Sequence, residues 1–202
     1  MVLSGYRSKS RACAFPLLLC LVVCLCLVLP VSAQASDAEK TEYGPTRYGL
    51  SLLAGTAYDP DKIGLAIMQG QMLIDYERIV WHSAPESLRL KFEVNAGLTT
   101  DGRHRSLLAI NMLALRYLER FRSGSWTPYV EAGIGLTNTD FRVEGQGLRL
   151  NFNPQAGAGV EYALPGGGAL TTALRLHHIS NGNIYKNNRG VNSALLMIGY
   201  LF

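Results

Sequence analysis

A histidine and a serine two residues apart form the pair of side chains in this sequence that is best suited to chemistry. His178 and Ser180 end an alternating run that begins near Ala169. In an extended strand the side chains at i and i+2 point to the same face. The imidazole and the hydroxyl can therefore come within hydrogen-bond reach, as nucleophilic catalysis requires. The motif is weak alone, since histidine and serine also occur at membrane interfaces. The face they occupy is otherwise apolar, with Leu170, Leu174 and Leu176.

Alternation of apolar and polar residues along most of the chain predicts the strands that must position this pair. We predict eight strands, at residues 47–58, 63–79, 87–99, 105–120, 126–138, 148–163, 169–180 and 191–202. Turn signals rich in glycine, proline, asparagine and aspartate separate them, including Asp59-Pro60-Asp61 and Asn187-Asn188-Arg189-Gly190. The run 105–120 is the least regular, because residues 107–117 also fit an amphipathic helix.

Two all-β architectures accommodate eight alternating strands: a soluble lipocalin-like barrel and a transmembrane barrel. The polar face carries many glycines, namely Gly97, Gly133, Gly135, Gly157 and Gly159. Compact residues suit the narrow interior of an eight-stranded barrel better than a solvated exterior. We therefore expect an eight-stranded antiparallel transmembrane β-barrel. Arg175 and His177 then point into its lumen, where we expect them to pair with Glu131 or Glu161.

The N-terminal segment has the pattern of a cleaved signal peptide. Three basic residues, Arg7, Lys9 and Arg11, precede an apolar run over residues 14–31, and Ala33-Gln34-Ala35 resembles a cleavage site. A membrane anchor fits less well, because prolines lie at both ends of the run. We predict a signal peptide at 1–35 and a barrel domain at 36–202. All four cysteines lie in the segment, so the mature chain has no disulfides.

Charge and motifs exclude several classes of function. Loss of the three basic residues with the signal peptide lowers the formal net charge from +4 to +1, which does not suggest a nucleic-acid partner. The sequence shows no phosphate-binding loop and no metal-ligand spacing, so no cofactor and no metal are expected. A pore is a poor candidate, because eight strands leave no open channel.

A third polar side chain is expected beside the histidine and the serine. An even-stranded barrel has both termini in the periplasm, so the loop 181–190 lies outside the cell. Asn192 begins the eighth strand and shares parity with Leu196, Ile198 and Tyr200. It therefore faces outward next to the pair, at the outer rim of the barrel, in the zone of lipid headgroups and acyl esters.

The stretch His178-Ile179-Ser180-Asn181, followed by Asn192 and a terminal Tyr-x-Phe, resembles the lipid A 3-O-deacylase (PagL-type) family. The resemblance implies a bacterial outer-membrane esterase that removes an ester-linked acyl chain, at the 3-O position, from lipid A of lipopolysaccharide. It implies that Ser180 is the nucleophile, His178 the general base and Asn181 an oxyanion donor. The substrate and partner is then lipid A in the outer leaflet.

The sequence departs from this family at the acidic member of the triad, which falls by spacing on Asn192. An amide can orient the histidine, but it stabilises the imidazolium less than a carboxylate does. The same change in a serine protease lowers turnover by about 10⁴. The site is therefore slow, recruits Asp140 or Glu144 from an outer loop, or is inactive. On this basis Asn192→Glu is expected to raise turnover.

The competing hypothesis is a non-catalytic small barrel with a structural or adhesive role. The outward polar trio favours the enzyme, because a structural barrel has no need for it. The sequence leaves open which acyl chain is cut and the oligomeric state, a homodimer included.

Overall fold

A computed structural model describes residues 45–80, 84–102 and 104–202, so the predicted signal peptide at 1–35 lies outside the described residues. It contains nine strand segments: β1 (Arg47–Asp59), β2 (Ile63–Asp75), β3 (Leu88–Thr99), β4 (Ser106–Tyr117), β5 (Trp126–Thr139), β6 (Leu150–Phe152), β7 (Gln155–Ala163), β8 (Ala169–Ile179) and β9 (Val191–Leu201). They form one antiparallel sheet, which closes because β4 pairs with β5 and β9 pairs with β1. Two 3₁₀ turns, Tyr76–Arg78 and Glu119–Phe121, lie at the end of the barrel where β1 begins and β9 ends. Within the described ranges, no helix is long and apolar enough to cross a membrane.

The segments β6 and β7 are two parts of one strand. Phe152 pairs with Leu136 and Gln155 with Gly133, so both strands advance three residues and the register is continuous. The interruption falls at Pro154, which has no N–H to donate. The barrel therefore has eight strands, and the predicted fold class is confirmed. The irregular run 105–120 is a strand, while the run 63–79 is shorter than predicted because it ends at Asp75.

The outward face of the barrel is a continuous apolar surface. Leu52 is 67% exposed and Val94 65% exposed. Other exposed side chains on this face are Leu50, Met68, Leu108, Ile110, Leu174 and Ile198. Water-soluble proteins rarely expose an apolar area of this extent, so the surface is of the kind that faces lipid, and the lipocalin-like alternative is excluded.

Aromatic side chains surround the barrel at the end where the chain terminates. Tyr200 and Phe202 are exposed, with ring centroids 6.3 Å apart. Trp126 and Tyr162 form a second pair at the same end, with centroids 4.6 Å apart. This is the position of the interfacial aromatic girdle of outer-membrane barrels.

A buried cluster of charges fills the centre of the lumen. Arg175 donates from Nε to Glu131 at 2.5 Å and from Nη2 to Glu93 at 2.7 Å. Lys91 donates to Glu131 at 3.0 Å. The strand opposite Arg175 carries Gly157, where a Cβ would lie only 2.9 Å from the arginine Cγ. The lumen is therefore packed with side chains, and its glycines make room for them.

The ion pairs in the lumen agree only partly with the prediction. Arg175 pairs with Glu131, one of its two predicted partners, whereas Glu161 pairs with Arg47 at 2.9 Å. His177 is buried on the lumen face, and its Nε2 has no hydrogen-bond partner in the described part of the chain. The lumen is less polar than predicted, because Leu53, Leu113, Leu195 and Met197 are also buried there.

A β-bulge in β1 changes the direction in which its last residue points. Ala57 pairs with Ser193, but Asp59 pairs with Asn192, so two residues of β1 oppose one step of β9. Odd-numbered residues of β1 face the lumen as far as Ala57. The extra residue, Tyr58, reverses this parity and turns Asp59 to the outer face.

The charge cluster yields a prediction about stability. Arg175→Ala leaves Glu93 and Glu131 buried with too little positive charge, and loss of one partner from a buried ionic cluster costs roughly 3–5 kcal/mol. The midpoint of thermal unfolding in detergent, followed by heat-modifiable gel migration, should fall clearly. The control is Arg149→Ala, which removes an exposed ion pair with Asp140 and should leave the midpoint unchanged. Equal midpoints for both variants would show that the cluster does not stabilise the barrel.

Candidate active site

Three polar side chains form a row across three neighbouring strands at the end of the barrel opposite the chain termini. His178 near the end of β8 pairs in register with Asn192 of β9. Asn192 in turn pairs with Asp59 of β1 on its other side. His178 and Asn192 have the parity of the exposed residues Leu174 and Leu196, so the row lies on the outward face.

Hydrogen bonds connect the members of this row. His178 Nδ1 lies 2.7 Å from Asn192 Oδ1, and Asn192 Nδ2 donates to Asp59 Oδ2 at 2.9 Å. Arg189 Nη2 donates to the other carboxylate oxygen, Asp59 Oδ1, at 2.6 Å. An ionised carboxylate only accepts hydrogen bonds, so the amide nitrogen of Asn192 must face Asp59. The amide oxygen then faces His178, which places the proton on Nδ1 and leaves Nε2 free to act as a base.

A glycine and a proline hold the histidine from two further sides. A Cβ on Gly190 would lie 2.5 Å from His178 Cε1 and 3.1 Å from Nε2, so only glycine leaves space for the ring in this position. The carbonyl of Pro154 accepts a hydrogen bond from the His178 backbone N–H at 2.9 Å. Sequence reasoning missed Gly190 and used it only as a turn signal, because its contact with His178 is visible only in the folded chain.

Ser180 lies two residues beyond His178 and keeps its register with the neighbouring strand. Its backbone N–H donates to the Phe152 carbonyl at 3.0 Å, and its carbonyl accepts from the Phe152 N–H at 2.8 Å. The pairing continues the register of β7 with β8, so Ser180 has the same outward parity as His178. Among the described residues, no hydrogen bond joins Ser180 Oγ to His178 Nε2. Such bonds often form only in the complex with substrate.

Asn181 organises the loop that follows. Its Nδ2 donates to the Asn187 carbonyl at 2.9 Å, and its Oδ1 accepts from the Asn183 N–H at 3.0 Å. Its backbone N–H donates to Asn188 Oδ1 at 2.8 Å. A side-chain amide has two N–H groups, and the loop uses one of them. The second is the group that an oxyanion could use.

The pair faces outward as predicted, but it is not exposed on the apolar surface. His178 is 2% exposed and Ser180 4% exposed. Loops 140–149 and 181–190 pair with each other above the site: the Arg189 N–H donates to the Gly145 carbonyl at 2.8 Å, and the Gly147 N–H to the Asn187 carbonyl at 2.8 Å. His178, Asn192 and Ser180 are therefore buried, whereas the Asp59 side chain at the end of the row is 32% exposed.

The two acids that the sequence suggested as substitutes lie elsewhere. Asp140 accepts a hydrogen bond from the Ser106 hydroxyl and pairs with Arg149 at 3.0 Å, and both contacts hold the pKa of this exposed carboxyl below its usual range. Glu144 is exposed in the same loop. The carboxylate that joins the row is Asp59, which the sequence presented only as part of a turn. In the ranges that the structure describes, no group of three or more His, Cys, Asp or Glu could hold a metal ion.

Comparison with known proteins identifies one family and similar structures of outer-membrane proteins. The family model for lipid A 3-O-deacylase (PagL) matches residues 70–201. The structure is similar to that of the outer-membrane enzyme PagL, with a TM-score of 0.54 and 23% identity over 75% of this chain and 97% of that one. It is also similar to Neisserial surface protein A (NspA), with a TM-score of 0.57 and 15% identity over 80% of this chain and 98% of that one. No curated protein matches the sequence. The protein is thus a barrel of the bacterial outer membrane.

The contact between Gly190 and the imidazole leads to a prediction. Gly190→Ala should displace the His178 ring, because its methyl group needs space that Cε1 and Nε2 occupy. The Nδ1–H proton resonance of His178, protected by the bond to Asn192, should shift or disappear in NMR spectra of the refolded protein. Gly70→Ala is the matched control, since a Cβ at that strand position meets nothing within 4 Å. An unchanged resonance in Gly190→Ala would contradict the assigned contact.

Proposed function

We propose that the protein hydrolyses the ester that links an acyl chain to lipid A, at the 3-O position. The chain belongs to the lipid A 3-O-deacylase family. The observation that carries the proposal is the 2.7 Å contact between His178 Nδ1 and Asn192 Oδ1 on the outward face. In the neutral ring this contact places the proton on Nδ1 and makes Nε2 the acceptor nitrogen, and Ser180 lies two residues further along the strand. A nucleophile, a base and a group that orients the base are thus adjacent, as acyl transfer requires.

The first half of the proposed reaction transfers the acyl group to the enzyme. Ser180 Oγ attacks the ester carbonyl carbon while His178 Nε2 takes the hydroxyl proton. Asn192 Oδ1 accepts the Nδ1–H and holds the imidazolium. Asn181 Nδ2 donates its second N–H to the oxyanion. The bond between the ester carbonyl carbon and the sugar oxygen then breaks, and Nε2 gives the proton to the departing sugar oxygen.

The second half of the reaction releases the fatty acid. Water attacks the acyl-serine carbonyl and gives a proton to His178 Nε2. The bond to Ser180 Oγ then breaks, and the serine oxygen takes this proton back. The cycle consumes one water and needs no metal, redox group or second substrate.

An apolar groove beside the pair supports a substrate with a long acyl chain. The groove has a volume of about 550 Å³ on the outward face of the barrel and is lined by Phe92, Val94, Ile110, Met112, Ile134, Leu136 and Phe152. Phe152 is also the residue whose backbone pairs with Ser180. The Phe152 end of the groove therefore lies next to the nucleophile, and an acyl chain that enters the groove from there has its carboxyl end at Ser180.

The position of the pair along the barrel supports the outer leaflet as the location of the substrate. The pair lies at the end opposite the chain termini, which the even strand number assigns to the periplasm. The end with the pair then faces the cell exterior, at the depth of the ester bonds of lipopolysaccharide. The eleven residues of β8, at roughly 3.3 Å each, are long enough for this span.

Removal of either member of the pair should abolish the reaction. Ser180→Ala removes the nucleophile and His178→Ala removes the base, so release of fatty acid from purified lipid A should fall to background in both variants. Heat-modifiable migration should be unchanged, since neither side chain belongs to the lumen core. Retained hydrolysis in either variant would reject this pair, and inactive wild type with lipid A of every acylation pattern would favour a structural barrel.

Asn181 should contribute through its amide. Asn181→Asp keeps the oxygen that accepts from Asn183 but removes the N–H groups, so kcat should fall about 10²–10³-fold, as it does when one oxyanion donor is lost. Asn188→Ala is the control, because it disturbs the same loop through the Asn181 backbone contact and leaves the Asn181 amide intact. An equal loss in both variants would assign Asn181 to loop structure alone.

A further inference from the structure

We propose that Asp59 is a positioning residue for the reaction, acting on His178 through the side-chain amide of Asn192. The inference rests on the proposed function, because it assigns a role toward the base of that site. It identifies the carboxylate that accepts a hydrogen bond from the asparagine amide. Neither the position of Asp59 in the chain nor its resemblance to any motif suggests this role.

The backbone places Asp59 in the site by means of the bulge in β1. If β1 continued past Ala57 without a bulge, Asp59 would face the lumen, as Ala57 and Leu53 do. The bulge brings it opposite Asn192 on the outward face. Bulges that redirect a side chain are frequent beside active sites. The result is a carboxylate in line with an amide and an imidazole across three strands.

The carboxylate determines the orientation of the amide. Asn192 could in principle present either its oxygen or its nitrogen to the histidine. The bond from Asn192 Nδ2 to Asp59 Oδ2, at 2.9 Å, allows only the orientation with Oδ1 toward His178. That orientation demands Nδ1–H and leaves Nε2 as the base. Asp59 therefore selects the catalytic tautomer without touching the ring.

The carboxylate also adds charge to the site. A donor that binds an anion becomes a stronger dipole, and the hydrogen bonds of a chain reinforce one another. The Asn192 carbonyl oxygen is thus more negative than that of an isolated amide, which favours the imidazolium that forms when Ser180 loses its proton. Arg189 donates to the other carboxylate oxygen at 2.6 Å and leaves Oδ2 to Asn192.

This arrangement reverses the expected effect of a carboxylate at position 192. The sequence suggested that Asn192→Glu would raise turnover by supplying a missing charge. In the structure, a carboxylate there faces Asp59 without an N–H between them. Two like charges at this distance disfavour ionisation of both. A gain is therefore expected only when residue 59 becomes the donor.

The test exchanges the two side chains. Asp59→Asn alone should lower kcat on lipid A with KM unchanged, by about tenfold or more but by less than the roughly 10⁴-fold loss that follows Asp→Asn in direct contact with the imidazole. Asn192→Asp alone should also lower kcat. The double variant Asp59→Asn with Asn192→Asp restores one carboxylate and one amide in line, and should match or exceed wild type. A double variant no better than Asp59→Asn would overturn the proposal.

Two single variants separate this role from effects on the turn and loop. Asp61→Asn removes the same charge from the same turn and should leave kcat unchanged. Arg189→Gln removes the ion pair that anchors loop 181–190 to Asp59 but keeps the bond from Asn192. A loss of kcat in Asp61→Asn, or in Arg189→Gln, equal to that in Asp59→Asn would reduce Asp59 to a loop anchor.

A measurement that does not depend on activity distinguishes this proposal from the proposed function. In ¹⁵N NMR of histidine-labelled wild type, the resonance that is absent in His178→Ala should show the Nδ1–H tautomer. Asp59→Asn should introduce the Nε2–H tautomer, and the double variant should remove it again. Wild type with Nε2–H, or a tautomer insensitive to residue 59, would overturn the positioning role. A protein with the predicted tautomers but no deacylase activity would reject the proposed function instead.

Discussion

Closure of the sheet between β4 and β5 is the constraint on which the rest of the structure depends. In hydrocarbon an unpaired backbone N–H or C=O costs several kcal/mol, so a membrane-spanning sheet must have no edge. Closing it with eight strands leaves an interior that side chains must fill. Arg175 and Tyr129 fill it, and the glycines that face them, Gly157 and Gly159, leave the space that these side chains need. A site for a lipid must then be built on the outer face.

The outer face makes the opposite demand, because polar groups are costly next to acyl chains. The structure meets it by placing His178 and Asn192 at strand ends and by covering them with paired loops. Apart from His178 Nε2, the polar atoms of the row have partners: His178 Nδ1, both ends of the Asn192 amide and both oxygens of Asp59. Buried polar groups are tolerated when they are satisfied in this way. The same hydrogen bonds that make burial acceptable fix the geometry of the base.

Side-chain direction could be predicted from the sequence where the strands are regular. Alternation predicted the faces of His178 and Asn192 correctly, because β8 and β9 pair without a bulge and a direct neighbour is set by counting from the loop. Alternation along β1 predicts that Asp59 faces the lumen. The bulge at Tyr58 reverses this direction, so the sequence did not reveal Asp59 as part of the row. The contact of Gly190 with His178 depends on how loop 181–190 folds back over the ring, and this loop also pairs with loop 140–149. Local pattern does not encode such contacts, whatever their importance to the site.

The acidic member of a catalytic triad has two functions, orientation of the imidazole and stabilisation of its charge. A carboxylate in direct contact performs both. In the site that we propose, Asn192 makes this contact, and Asp59 imposes the orientation of its amide. The charge lies one side chain further away, on a carboxylate that is 32% exposed and paired with Arg189, so its Coulomb effect on the ring is weaker than that of a direct partner. In the site that we propose, asparagine at position 192 therefore does not leave the site without an acid. The acid lies on the neighbouring strand, and the bulge in β1 is the feature of the backbone that makes this arrangement possible.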